Sequence, residues 1–117
     1  MNESILRSVA KYCQVGDDDT YFDPELISII NTHLAFLHQL GTLITLNFLI
    51  VDDETRWADV INPDPRIMAP SIQYVQIRSK LDFNPPSSSY LINSMKETCN
   101  EIEQRLLMAM DDIEAGV

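Results

Sequence analysis

Apolar residues recur along most of the chain at helical spacing, and one stretch breaks that spacing. Ile5, Val9 and Tyr12 share a face over residues 2–14, with Leu6, Ala10 and Cys13 beside them, which predicts a first helix ended by Gly16. A second helix is expected to open at Phe22-Asp23-Pro24-Glu25. Asp23 suits the N-cap, and Pro24 the first helical position, where its missing N–H costs nothing. Glu25 then faces the positive end of the helix dipole, and Phe22 and Ile27 are spaced as a hydrophobic staple. Ile27, Ile30, Leu34 and Leu37 form one stripe, which Leu26, Ile29, Phe36 and Leu40 widen. A helix apolar over so wide an arc should be central or shared with a neighbouring subunit, and Gly41 ends it.

Residues 42–51, Thr-Leu-Ile-Thr-Leu-Asn-Phe-Leu-Ile-Val, are apolar and partly β-branched without helical period, so they read as a strand or extended loop. In an otherwise helical chain such a strand has no partner of its own, and an apolar edge of that kind needs cover from another chain. A short helix is expected at 54–61, capped by Asp53, with Trp57 and Ile61 inward. A fourth should run from about 66 to 83 through Ile67, Ile72, Tyr74, Val75, Ile77 and Leu81, its regular part delayed by Pro70 and its end set by Pro85-Pro86. The last helix, 88–114, is capped by Ser87 or Ser88. It carries a heptad seam of Ile92, Met95, Cys99, Ile102, Leu106, Ala109 and Ile113. It would be about 40 Å long, against about 34 Å for the diameter of a compact domain of this size. The fold class is therefore mainly α, a small four-to-five-helix bundle in a single domain, 1–117. It has a long C-terminal helix and one extended apolar loop or strand over about 42–51.

The apolar fraction of 45% favours a folded domain over disorder. With 8 basic and 18 acidic residues the net charge is −10, which argues against gripping DNA or an anionic membrane by charge. It is compatible with a wall that DNA slides past. Cys13 and Cys99 sit among apolar neighbours and read as buried free thiols rather than a disulfide. No apolar run reaches a membrane span, and the first residues do not form a signal peptide, so synthesis in a reducing cytoplasm is expected.

No catalytic, cofactor-binding or metal-ligating constellation is apparent. Asp17-Asp18-Asp19 lacks the alternating ligands and distal glutamate of a calcium loop and reads as a solvated turn. His33 and His38 are five apart, on different helix faces. Glu97 and Glu101 share a face without the Glu-x-x-His partners of a di-iron site. Three glycines leave no room for a phosphate loop or nucleophile elbow.

The ordered set Phe22-Asp23-x-Glu25 with Ile30-Asn31, then Gln39-Leu40-Gly41, Phe48-x-Ile50 and Thr55-x-Trp57-x-Asp59, resembles a family of phage head–tail connector proteins. The C-terminal half is similar too, through Tyr74-Val75-x-Ile77-Arg78-x-Lys80-Leu81-x-Phe83-x-Pro85-Pro86, Ser88-x-Tyr90-x-Ile92 and Glu101-Ile102-Glu103-x-Arg105-Leu106. Two departures are the missing glycines after Gly41 and Gln104 where an aromatic residue is common. The resemblance implies a structural virion protein at the capsid vertex, made in the host cytoplasm. It would dock on the portal protein as a homo-oligomeric ring, twelvefold like the portal, and continue the DNA channel toward a stopper or tail-completion protein. Leu46, Phe48 and Ile50 are then expected at the subunit or portal interface. Asp17, Asp18, Asp19, Asp111, Asp112 and Glu114 are expected to face the channel, past which DNA moves without specific binding. The alternative is an acidic helical inhibitor or antitoxin-like module that binds a basic protein; a monomeric mimic of that kind should not carry the apolar segment 42–51.

Overall fold

The computed structural model describes residues 3–16 and 18–116. Among these are five helices and no strand: α1 (Ile5–Tyr12), α2 (Asp23–Leu40), α3 (Trp57–Val60), α4 (Pro65–Phe83) and α5 (Ser89–Glu114). This is the mainly α bundle expected, with an overlong last helix. At 26 residues α5 runs close to the longest dimension of a body measuring 44 × 35 × 20 Å.

The first helix is shorter than its periodicity suggests. Ser4 caps it, its Oγ accepting from the Arg7 N–H at 3.2 Å. The left-handed residue at its end is Gln14, φ 66°, rather than Gly16. The Gln14 and Val15 N–H groups donate back to the Lys11 and Ala10 carbonyls at 3.0 and 2.9 Å, which closes a Schellman turn. Ile5, Leu6, Val9, Ala10 and Cys13 are buried, while Tyr12 is exposed.

In α2 the N-cap is Phe22, and no side chain caps it. Asp23 takes the first helical position, and its carboxylate forms an ion pair with Arg7 of α1 instead of capping. The C-terminal end is as expected: Gly41, φ 89°, places its own N–H on the His38 carbonyl at 3.0 Å and the Thr42 N–H on the Leu37 carbonyl at 3.2 Å.

The central helix is α4, not the more apolar α2; α1, α2 and α5 all pack against it. Its fully buried Ser71 and Ser79 are small residues on a helix that takes neighbours on several sides. It opens at Pro65 with Asp64 as N-cap, whose carboxylate accepts from the Arg66 N–H at 2.9 Å. Pro70 lies inside the continuous helix rather than delaying it. As the sixth residue of the helix it lies past the first turn, so it cannot give the usual helical hydrogen bond to the Arg66 carbonyl, and the packing of α4 against α1, α2 and α5 holds the helix continuous. Ser88 caps α5 by accepting from the Leu91 N–H at 3.3 Å.

One core unites all five helices, with Leu34 and Leu37 of α2 and Ile102 and Leu106 of α5 each buried in it. Trp57, expected inward, is also buried. Its indole Nε1–H donates to Ser8 Oγ at 2.8 Å, and Ser8 donates in turn to the Ile5 carbonyl at 3.1 Å, so no polar atom of the pair is stranded. The backbone of 3–5 meets that of 55–57, through the Ile5 N–H on the Thr55 carbonyl at 2.9 Å and the Trp57 N–H on the Glu3 carbonyl at 3.2 Å. This pairing holds 54–56 out of the helix expected from residue 54. As a result α3 is only four residues, begun at Arg56, whose N–H donates to the Asp59 carboxylate at 2.9 Å, and Asp53 caps nothing.

Candidate assembly surface

The aperiodic segment 42–51 forms no strand, and it is not unpartnered. Its entry is tied by the Ile44 N–H to the Val60 carbonyl at 2.8 Å and by the Asn62 N–H to the Thr42 carbonyl at 3.0 Å. Its exit is held by one side chain of α2. Asn31 donates from Nδ2 to the Ile50 carbonyl at 3.0 Å and accepts at Oδ1 from the Ile50 N–H at 2.8 Å. A carboxamide has one donor side and one acceptor side, so it satisfies both backbone groups as a neighbouring strand would.

Between these ties the side chains alternate, with one offset. Leu43 faces in and Ile44 and Leu46 face out. Asn47 then adds a residue, its N–H folded onto Thr45 Oγ1 at 3.0 Å, so Phe48 and Ile50 face in and Leu49 and Val51 face out. Strict alternation would have put Leu46, Phe48 and Ile50 on one face. The offset separates them. Leu46 is 84% exposed, Ile50 only 1%, and Phe48 is half-buried, stacked on His38 with ring centroids 4.8 Å apart. Of the three expected interface residues, only Leu46 is fully open to a neighbour. Ile44, Leu49 and Val51, which sequence reasoning did not single out, are exposed with it. No local pattern in the sequence marks them, because the inward setting of Ile50 depends on Asn31, nineteen residues away. The segment ends in Asp52, Asp53 and Glu54, all exposed, so an apolar strip abuts an acidic one.

The expected channel-facing acids do not form one cluster. Asp17 lies outside the described residues. Asp18 and Asp19 are exposed in the turn after α1, where Asp19 stands by Phe83 and Asn84 at the end of α4. Asp111, Asp112 and Glu114 are exposed at the end of α5. There Asp112 acts electrostatically on Arg66 at the start of α4. The length of α4, about 28 Å for its 19 residues, separates the groups. The apolar strip starts at the Asp111–Glu114 end, where Gly41 lies against Met110, and runs back along α2 to Asn31 at its middle.

Both histidines have structural partners. His33 Nε2 meets Asp82 Oδ2 at 2.8 Å, which links α2 to α4, and His38 carries the Phe48 stack. Burial pulls the His33 pKa below its ordinary value, although Asp82 works in the opposite sense. Cys13 and Cys99 are free and buried; burial pushes the Cys13 thiol up to about 11 and the Cys99 thiol up as well, so neither is a thiolate near neutral pH. Among the described residues no cluster of three or more His, Cys, Asp or Glu side chains could hold a metal, and no helix is long and apolar enough to cross a membrane.

The arrangement presents packing surfaces rather than reacting groups. A family model described as phage connector protein matches residues 5–112. No curated protein and no solved structure matches the chain.

Proposed function

The chain belongs to the phage connector protein family, whose members are structural virion proteins, and on that premise we propose that it is a head–tail adaptor. In this reading it docks on the portal ring at the capsid vertex, extends the DNA channel and links the head to a stopper or tail-completion protein. The family match over nearly the whole chain carries the reading. The exposed strip of Ile44, Leu46, Leu49 and Val51 supports it, because a free monomer has no use for a pinned apolar edge. An acidic inhibitor would be served by the charge but not by this strip.

Subunits join head to tail in a closed ring, twelvefold to match the portal, and the strip packs on the adjacent copy. With a charge of −10 on each subunit, the ring repels DNA phosphates and offers them no place to pause. Asp18 at one end of the bundle and Asp111, Asp112 and Glu114 at the other are the channel-facing candidates, while Asp19 lines the groove beside the end of α4.

The test is to mix the purified protein with the portal of its own phage and image the product by negative stain. A second ring seated on the portal is expected. Failure to bind, together with absence of the protein from purified virions, would overturn the reading.

A further inference from the structure

At the end of the bundle where α4 stops, the turn after α1 and the end of α4 enclose an open groove of about 450 Å3. Its apolar part is the pair Phe22 and Phe83, packed edge to face with centroids 5.2 Å apart and both half-buried. Tyr21, almost fully exposed, sets its ring edge-on against Phe22 at 5.0 Å. Two carboxylates, Asp19 and Glu25, line the same groove and are exposed, and neither has an ion-pair partner among the described residues. Lys80 stands nearby, its ammonium 3.5 Å from Gln14 Oε1 and 3.3 Å from the Asn84 carbonyl. The walls are held in place: the Schellman turn at Gln14 shapes one side, and the Asn84 Nδ2 donates to the Cys13 carbonyl at 3.0 Å across to the other.

We propose that this groove docks an extended basic segment of a different protein, which lays an arginine side chain on the Phe22–Phe83 pair and against Asp19 and Glu25. Aromatic side chains beside carboxylates without an ion-pair partner suit a guanidinium better than an ammonium, because the flat cation stacks on a ring while its edge donates to carboxylate oxygens. Asp19 Oδ1 accepts from the Tyr21 N–H at 3.0 Å, and its lone pairs leave room for a further donor. A second copy of this chain is the poorer occupant: each subunit carries −10, so copies repel at an acidic site. Nucleic acid is excluded from it for the same reason. Tyr90 and Leu91, exposed at the start of α5 only a few residues beyond Asn84, extend the surface at this end of the bundle. The inference deepens the connector reading, on which it rests for the partner being a neighbour in the virion. In that frame the apolar strip meets the subunit's own copies and the groove holds a basic neighbour.

The experiment is an NMR titration of the isotope-labelled full chain at low salt. The probe is the peptide acetyl-Gly-Arg-Leu-Arg-Gly-amide, with the same peptide carrying lysine for arginine as comparison. Amide shifts are expected to gather at Val15, Phe22, Phe83 and Asn84, and the lysine peptide should bind more weakly. The double variant Asp19→Asn with Glu25→Gln, at exposed positions that leave the fold intact, should bind the arginine peptide about fivefold more weakly or worse. Equal binding by the double variant would overturn the proposal. So would shifts as large at Asp111 and Asp112 as at the groove, which would mean general charge attraction. The connector reading fails separately: groove-specific binding by a protein absent from virions would sink that reading and leave the groove standing.

Discussion

Asn31 and Ile50, nineteen residues apart, are joined by two hydrogen bonds in opposite senses, the side-chain amide of one closing on the backbone of the other at 3.0 and 2.8 Å. Ile50 is buried, so losing this partner strands a donor and an acceptor together. Asn31→Ala should therefore cost about 2–4 kcal/mol, read by urea unfolding. Asn31→Asp keeps the acceptor, but at neutral pH it sets a carboxylate oxygen against the Ile50 carbonyl, so its cost should shrink at acid pH, where the protonated carboxyl can donate again. A loss below about half a kcal/mol for the alanine variant would mean that the amide does not pin the segment.

The outward residues of that segment make the assembly test clean. Leu46→Asp with Val51→Asp changes two side chains that are 84% and 79% exposed, so the circular dichroism spectrum and melting temperature of the monomer should hardly move. Ring formation on the portal should be lost, as seen by negative stain. Phe48 is a poorer choice because its stack on His38 would be broken within the subunit as well. Normal rings from the double variant would take the strip out of the interface.

Leu106 is fully buried in the core that also holds Leu34, Leu37 and Ile102. Truncation to alanine should destabilise the chain by about 2–5 kcal/mol through lost burial and the cavity left behind. A change below about half a kcal/mol in urea would not fit a residue in the core.

Gln14 occupies the left-handed position at the end of α1 without being glycine. Its side chain makes a long 3.5 Å contact with Lys80. Gln14→Gly relieves a cost of about 1–2 kcal/mol and adds back the backbone entropy of glycine, so a net gain of about 0.5 kcal/mol is expected in urea. A loss of stability would show that the Gln14 side chain contributes more than its geometry indicates.

His33 supplies a pH dependence with a definite sign. Its folded pKa lies below the unfolded value, with burial the larger cause and the Asp82 contact opposing it. The unfolded chain thus takes up the proton first as pH falls. Stability from this group is complete above the ordinary imidazole value of about 6.5 and is lost as pH drops through the folded value. The urea midpoint of His33→Gln should therefore fall less steeply than that of the native chain over this range. Asp82→Asn removes the opposing contact and should lower the His33 pKa further in an NMR titration. A rise in that variant would contradict the geometry.

The sequence alone settled much of what depends on neighbours three or four residues apart, though not the caps expected at Gly16, Asp23 and Asp53. The helical periods, the Gly41 stop, a serine cap at 87 or 88, the heptad seam of α5 and the ordered residues of the connector family are all of this kind, because local backbone sterics and amphipathic burial leave a local trace. Tertiary structure decided what rests on contacts across the chain. Nothing near residue 50 announces that Asn31 will meet it, nor does anything near Phe22 point to Phe83. Even the strand-like alternation of 42–51 misleads by itself, since one added residue at Asn47 turns Phe48 and Ile50 inward and leaves Leu46 out. The acids that look equivalent in sequence end up at opposite ends because antiparallel α4 and α5 carry the chain back along the bundle. Pairings of this range are chosen by how whole helices pack, a choice made by burial summed over the core rather than by any short run of residues.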